Sequence, residues 1–184
     1  MSSRDFDPLQ LDVSAFAKAA AVLEGRWPLA SLARLRESAM AEALPRDGVE
    51  IAWQARGERR AMQGGEHQVW LHLTVSTALP LECQRCLQAV EVPLAASRSF
   101  LFVHGEDAAA QLDTDSEDDV LALTRALDLR ELAEDELLLA LPLVPRHEVC
   151  PQPLPVPSGL GEVLEEKPNP FAALAALKRG GPPN

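Results

Sequence analysis

The clearest hydrophobic rhythm in the chain has a period of two. Val69, Leu71, Leu73 and Val75 alternate with Gln68, His72, Thr74 and Ser76, which gives a strand one apolar and one wet face. Val49, Ile51, Trp53 and Ala55 alternate in the same way with Glu50, Gln54 and Arg56, and Val90, Val92, Leu94, Phe100 and Phe102 resume the pattern. Three or more such strands make an antiparallel sheet whose apolar face needs a cover. Between Asp128 and Leu141 the period becomes helical, with Leu129, Leu132, Ala133, Leu137 and Ala140 in one stripe. Asp128 is placed to cap this helix, Glu131 stands at the reach-back position of a capping box, and Pro142 ends it. Arg130, Glu131, Glu134 and Asp135 are predicted to face outward, leaving the stripe to cover the sheet.

The remaining segments carry weaker patterns. Phe6 to Val13 reads as a short edge strand. Ser14 reads as the cap of a helix running through Lys18 to Glu24 and ended by Gly25. Leu29, Leu32, Leu35 and Ala39 predict a second helix up to about Leu44, followed by a turn at Pro45-Arg46-Asp47-Gly48. Gly57 to Gly65 reads as a polar connection, with Arg56, Arg59 and Arg60 in solvent. Glu106 to Asp119 reads as a solvated acidic loop, because it lacks the ligand spacing and central glycine of an EF-hand. The fold expectation is α+β: an antiparallel sheet over about residues 49–103 covered by helices, forming a single domain over residues 1–150. An extended proline-rich tail is predicted over 151–184. Within it Asn169-Pro170 opens a short helix with an apolar stripe of Phe171, Leu174 and Leu177.

Composition changes this picture in two ways. The chain has 184 residues, enough for one ordinary core, and its net charge is −11. A strong grip on nucleic acid needs a basic face to neutralise phosphates, so direct RNA or DNA binding is not the default and a basic partner fits better. Three cysteines are too few for a secreted disulfide scaffold. Met1-Ser2-Ser3-Arg4-Asp5 has no apolar leader, and no run approaches the ~18 apolar residues of a membrane span. A cytoplasmic protein without membrane contact is expected.

Candidate chemistry is concentrated in the cysteines. Cys83 and Cys86 form a C-x-x-C pair directly after the clearest strand, with Arg85 between them. His147 and Cys150 form an H-x-x-C pair just beyond the main helix. Two short-spaced pairs from separate segments are able to supply the four ligands of a tetrahedral zinc site. The competing reading is three reduced cytosolic thiols and an exposed histidine near a proline-rich segment. A thioredoxin-like couple is disfavoured, because its thiols sit at a helix N-terminus and this pair lies between two strands. No G-x-S-x-G, H-E-x-x-H or glycine-rich phosphate loop is present. His67, His72 and His104 stand alone, and His72 reads as an ordinary surface histidine. No enzyme is expected.

Leu81-Glu82-Cys83-Gln84-Arg85-Cys86-Leu87, Ala133 to Pro142, His147 and Asn169-Pro170-Phe171-Ala172, taken in order, resemble the YceD family of bacterial large ribosomal RNA subunit accumulation proteins. The resemblance implies a non-enzymatic cytoplasmic factor in the synthesis, processing or stability of 23S ribosomal RNA. It points to a large-subunit ribosomal protein or a pre-ribosomal particle as partner and leaves direct RNA contact open. The binding residues expected on this reading are Arg85, the Glu134-Asp135-Glu136 face, and Phe171, Leu174 and Leu177. The alternative is a zinc-stabilised RNA-binding module using Cys83, Cys86, His147 and Cys150.

Overall fold

A computed structural model describes residues 6–62, 67–116 and 118–152. Its centre is one sheet of five strands in sequential order. These are β1 (Val22–Pro28), β2 (Glu50–Ala61), β3 (His67–Glu82), β4 (Ala89–Val103) and β5 (Asp119–Ala122). The first four pair antiparallel, while β5 runs parallel to β4. A parallel neighbour requires a crossover, which α3 (Glu106–Asp115) supplies. Among the described residues the other α-helices are α1 (Val13–Lys18), α2 (Ala33–Ser38) and α4 (Leu129–Leu139). The class is α+β, and α4 matches its predicted cover, with the Asp128 carboxylate accepting the N–H groups of Arg130 and Glu131 at 2.9 and 3.1 Å.

The period-two positions build the main core. Ile51, Ala55, Leu71, Leu73, Val75, Leu79 and Phe100 point to one face, where they meet Phe16 of α1, Leu35 of α2, and Leu129, Ala133 and Leu137 of α4. Over the opposite face, α3 buries Ala109 against Trp70, Leu101 and Val120.

Several weaker expectations are corrected. Phe6 to Val13 is not a strand; a single bridge, Leu11 to Leu127, is all that pairs there. Asp12 rather than Ser14 caps α1, accepting the Ala15 N–H at 2.9 Å, and the helix stops at Lys18. Ala20 then takes a left-handed φ of 47° and the chain enters β1, so Glu24 and Gly25 are strand residues. Gly25 is small for a packing reason: a Cβ there would lie 3.0 Å from the Trp53 ring. The helix expected over 29–44 breaks into 3₁₀ turns at Leu29–Ser31 and Ala41–Ala43 flanking α2; Leu29, Leu32 and Leu35 are buried in the core, and Leu44 packs against it partly exposed. The expected connection after Gly57 is strand through Ala61. The expected acidic loop folds as α3 and β5. Glu106 and Asp107 stand in the first turn of α3, where they complement the helix dipole, and Asp113 Oδ1 accepts the Val120 N–H at 3.0 Å.

Beyond Ser76 the β3–β4 hairpin outruns β2, which pairs with β3 only from Ala52 to Ala61. Met40 N–H caps the freed edge by donating to the Pro80 carbonyl at 2.7 Å. The hairpin arm therefore projects from the sheet with Cys83 to Gln88 as its tip. The tail from 153 to 184, including Phe171, Leu174 and Leu177, lies outside the described residues.

Candidate metal centre

The tip of the arm is a closed turn. Cys83 N–H donates to the Gln88 carbonyl at 2.9 Å, Leu87 N–H donates to the Cys83 carbonyl at 2.8 Å, and Leu87 takes a left-handed φ of 60°. This folds Cys83 and Cys86 onto the same side, both buried. The segment leaving α4 returns to them: Gln84 N–H donates to the Pro145 carbonyl at 2.9 Å, and His147 N–H points at Cys83 Sγ at 3.4 Å.

All four ligand atoms of Cys83, Cys86, His147 and Cys150 consequently lie within 4.8 Å of one another. Cys83 Sγ and Cys150 Sγ are 3.9 Å apart, and Cys86 Sγ and His147 Nδ1 are 3.5 Å apart. A tetrahedral zinc with Zn–S of ~2.3 Å and Zn–N of ~2.05 Å has S···S edges of ~3.8 Å and S···N edges of ~3.5 Å. These two edges match both values, and the donor set is a known structural zinc set. The sulfurs are too far apart for a disulfide, whose S–S bond is ~2.05 Å. The residues fit zinc.

The thiols are electrostatically unequal. Burial pushes the Cys83 thiol up, but the backbone N–H groups of His147, Arg85 and Cys86 outweigh it and hold Cys83 down at about 5. Cys86 is raised, by burial first and then by its sulfur neighbours. Arg85 Nε donates to Cys150 Sγ at 3.0 Å, and its Nη2 donates to the carbonyls of His147 and Glu148 at 3.3 and 3.2 Å.

Two of the other sequence-derived binding residues, Glu134 and Glu136, are placed differently from expectation. Glu134 does not face outward: it is 8% exposed, accepts the Leu35 N–H at 3.0 Å, and pairs with Arg34 at 3.0 Å. Glu136 is also buried; it pairs with Arg98 at 3.3 Å, and burial raises its pKa despite that arginine. Asp135 is half-exposed and pairs with Arg34 at 2.6 Å. Neither Arg34 nor Arg98 carries a local sequence signal that would have named these partners.

His72, read as a lone surface residue, stands in a hydrogen-bonded row across three strands. Its Nδ1 lies 2.8 Å from Ser99 Oγ and its Nε2 2.7 Å from Glu58 Oε2. Arg60 donates to Glu58 at 2.7 Å and lies over the Trp70 ring at 4.4 Å. The row matches the order of a serine triad, but Ser99 and its neighbours are within the β3–β4 ladder, where their backbone N–H groups pair between strands rather than converge on an oxyanion. It ties strands together.

Fold and cluster together define an α+β protein with a Cys₃His site spanning a hairpin tip and the exit of a covering helix. The chain belongs to the YceD family: the family described as "Large ribosomal RNA subunit accumulation protein YceD" matches residues 71–178, which include all four residues of the cluster. A curated relative from Haemophilus influenzae, named large ribosomal RNA subunit accumulation protein YceD, is 40% identical over 110 residues. That alignment covers 57% of this chain and 63% of the relative. No solved structure matches the chain. Among the described residues, no helix is long and apolar enough to cross a membrane.

Proposed function

We propose that this chain supports accumulation of 23S ribosomal RNA without catalysing a reaction, by holding a basic large-subunit ribosomal protein or a pre-ribosomal particle. The observation that carries this reading is the net charge of −11 on a member of a family named for large-subunit RNA accumulation. Such a charge repels naked RNA and attracts basic assembly components. An apolar rim beside the cysteine cluster supplies contact area: Leu143, Val144, Val149 and Leu87 are 100, 60, 85 and 52% exposed. In this reading Asp135 offers the outward carboxylate of α4, Glu134 and Glu136 anchor that helix from behind, and Phe171, Leu174 and Leu177 are further binding residues. Arg85 keeps the rim in shape. Zinc, held by Cys83, Cys86, His147 and Cys150, supplies rigidity rather than reactivity.

The test is a pull-down of the tagged protein with and without nuclease. Retention of a basic ribosomal protein after RNA digestion is the expected result. Loss of every partner on digestion, with tight binding to naked ribosomal RNA at physiological salt, would replace this reading by the zinc-stabilised RNA-binding module.

A further inference from the structure

Arg85 occupies an unusual position for a cation on an acidic chain. Among the described residues it forms no ion pair with a carboxylate, although Glu82 and Glu148 are close in sequence to its contacts. Its fork instead grips one thiol and two backbone carbonyls of a single segment, His147 to Cys150. That segment lies in no helix or strand, so its own backbone does not fix where His147 and Cys150 point. Apart from the contacts among the four cluster side chains themselves, Cys83 Sγ to Cys150 Sγ and Cys86 Sγ to His147 Nδ1, the remaining hydrogen bonds that tie it to the hairpin tip are Gln84 N–H to Pro145 and His147 N–H to Cys83. Neither restrains Cys150, which comes last in the chain and is the least buried of the three thiols.

We propose that Arg85 is the positioning residue of the metal centre, holding the His147–Cys150 segment against the Cys83–Cys86 turn so that the fourth ligand is in place. This rests on the zinc reading of the cluster. Two physical reasons support the role. A guanidinium is planar with several fixed donors, so one side chain spans a sulfur and two carbonyls at once, which the single ammonium of lysine does not reproduce. Three thiolates and a neutral imidazole around a divalent ion also leave one net negative charge, and Arg85 cancels it at the sulfur nearest to solvent. Hydrogen bonding from outside the ligand shell is the usual means by which proteins orient ligands and tune a bound metal. Arg85 makes the bond from within the C-x-x-C loop itself.

The test uses the full chain with Arg85→Ala, Arg85→Lys and, as a control for the same change in net charge elsewhere, Arg26→Ala. Bound zinc is counted by elemental analysis, affinity is read by competition with a chromophoric chelator, and cobalt is substituted to read the thiolate-to-metal charge-transfer band. Wild type is expected to hold one zinc. Arg85→Ala should bind about tenfold to a hundredfold more weakly, release metal faster to chelator, and shift the charge-transfer band. Arg85→Lys should fall between the two, restoring charge without the fork, and Arg26→Ala should match wild type. Zinc in the wild type with unchanged affinity and spectrum in Arg85→Ala would overturn the positioning role alone. A wild type that takes up neither zinc nor cobalt would overturn the zinc reading, and the positioning role with it.

Discussion

At the scale of single residues, the consequential side chains are polar groups whose partners are far away in sequence. Glu134 is the clearest. Its carboxylate satisfies the buried Leu35 N–H as well as Arg34, so Glu134→Ala strands a buried donor and should destabilise the fold by about 1–3 kcal/mol. Glu134→Gln keeps an acceptor for Leu35 and should lose less; urea unfolding of the two variants measures the difference. Glu58 gives a pH signature. The Arg60 and His72 hydrogen bonds hold its carboxyl down at about 2, against an ordinary value of 4.5. A carboxylate depressed in the folded state stabilises it fully above 4.5 and loses that contribution as pH falls towards 2. The melting temperature of wild type should therefore drop more steeply between pH 4.5 and 2 than that of Glu58→Gln, while equal slopes would remove Glu58 from the account of acid stability.

Among elements, the closest approach is between α1 and β2. A Cβ on Gly57 would lie 2.8 Å from the backbone of Phe16 and Ala17, and backbone has no rotamer with which to retreat. Gly57→Ala should push α1 off the sheet, expose Phe16, and cost about 1–3 kcal/mol by denaturant titration. Gly25→Ala should cost less, since its neighbour at 3.0 Å is a side chain, the ring of Trp53, rather than backbone. The strands and α4 were legible in the sequence because alternation and a 3.6-residue stripe are local properties of burial on one face. The N-terminal helix was misread for an equally local reason. Asp12 and Ser14 both make acceptable caps, and only the pairing of Val22 to Pro28 with β2 decided that the chain must be extended there. The acidic stretch 106–119 hid a helix and a strand because its apolar face is mainly Ala109, too small to register as a stripe.

In the whole molecule, the cluster ties the tip of the hairpin to the chain beyond α4, whereas the main core is built elsewhere. Metal removal should thus act locally. Protein stripped with a chelator should keep its far-UV circular dichroism but become sensitive to protease between Leu143 and Gln152, and added zinc should restore resistance. Global unfolding on chelation would mean that the centre holds the core as well.

The sequence by itself determined the α+β class, the three long strands, the capped cover helix and the two short-spaced pairs of candidate ligands, since each depends on residues a few positions apart. Tertiary structure alone decided that Cys83 and Cys86 meet His147 and Cys150, that Glu134 turns inward to Arg34, and that His72 joins Glu58 and Ser99. These contacts depend on strand register and on how α4 lies across the sheet. Such geometry is set by the packing of the whole core, so no local spacing encodes it.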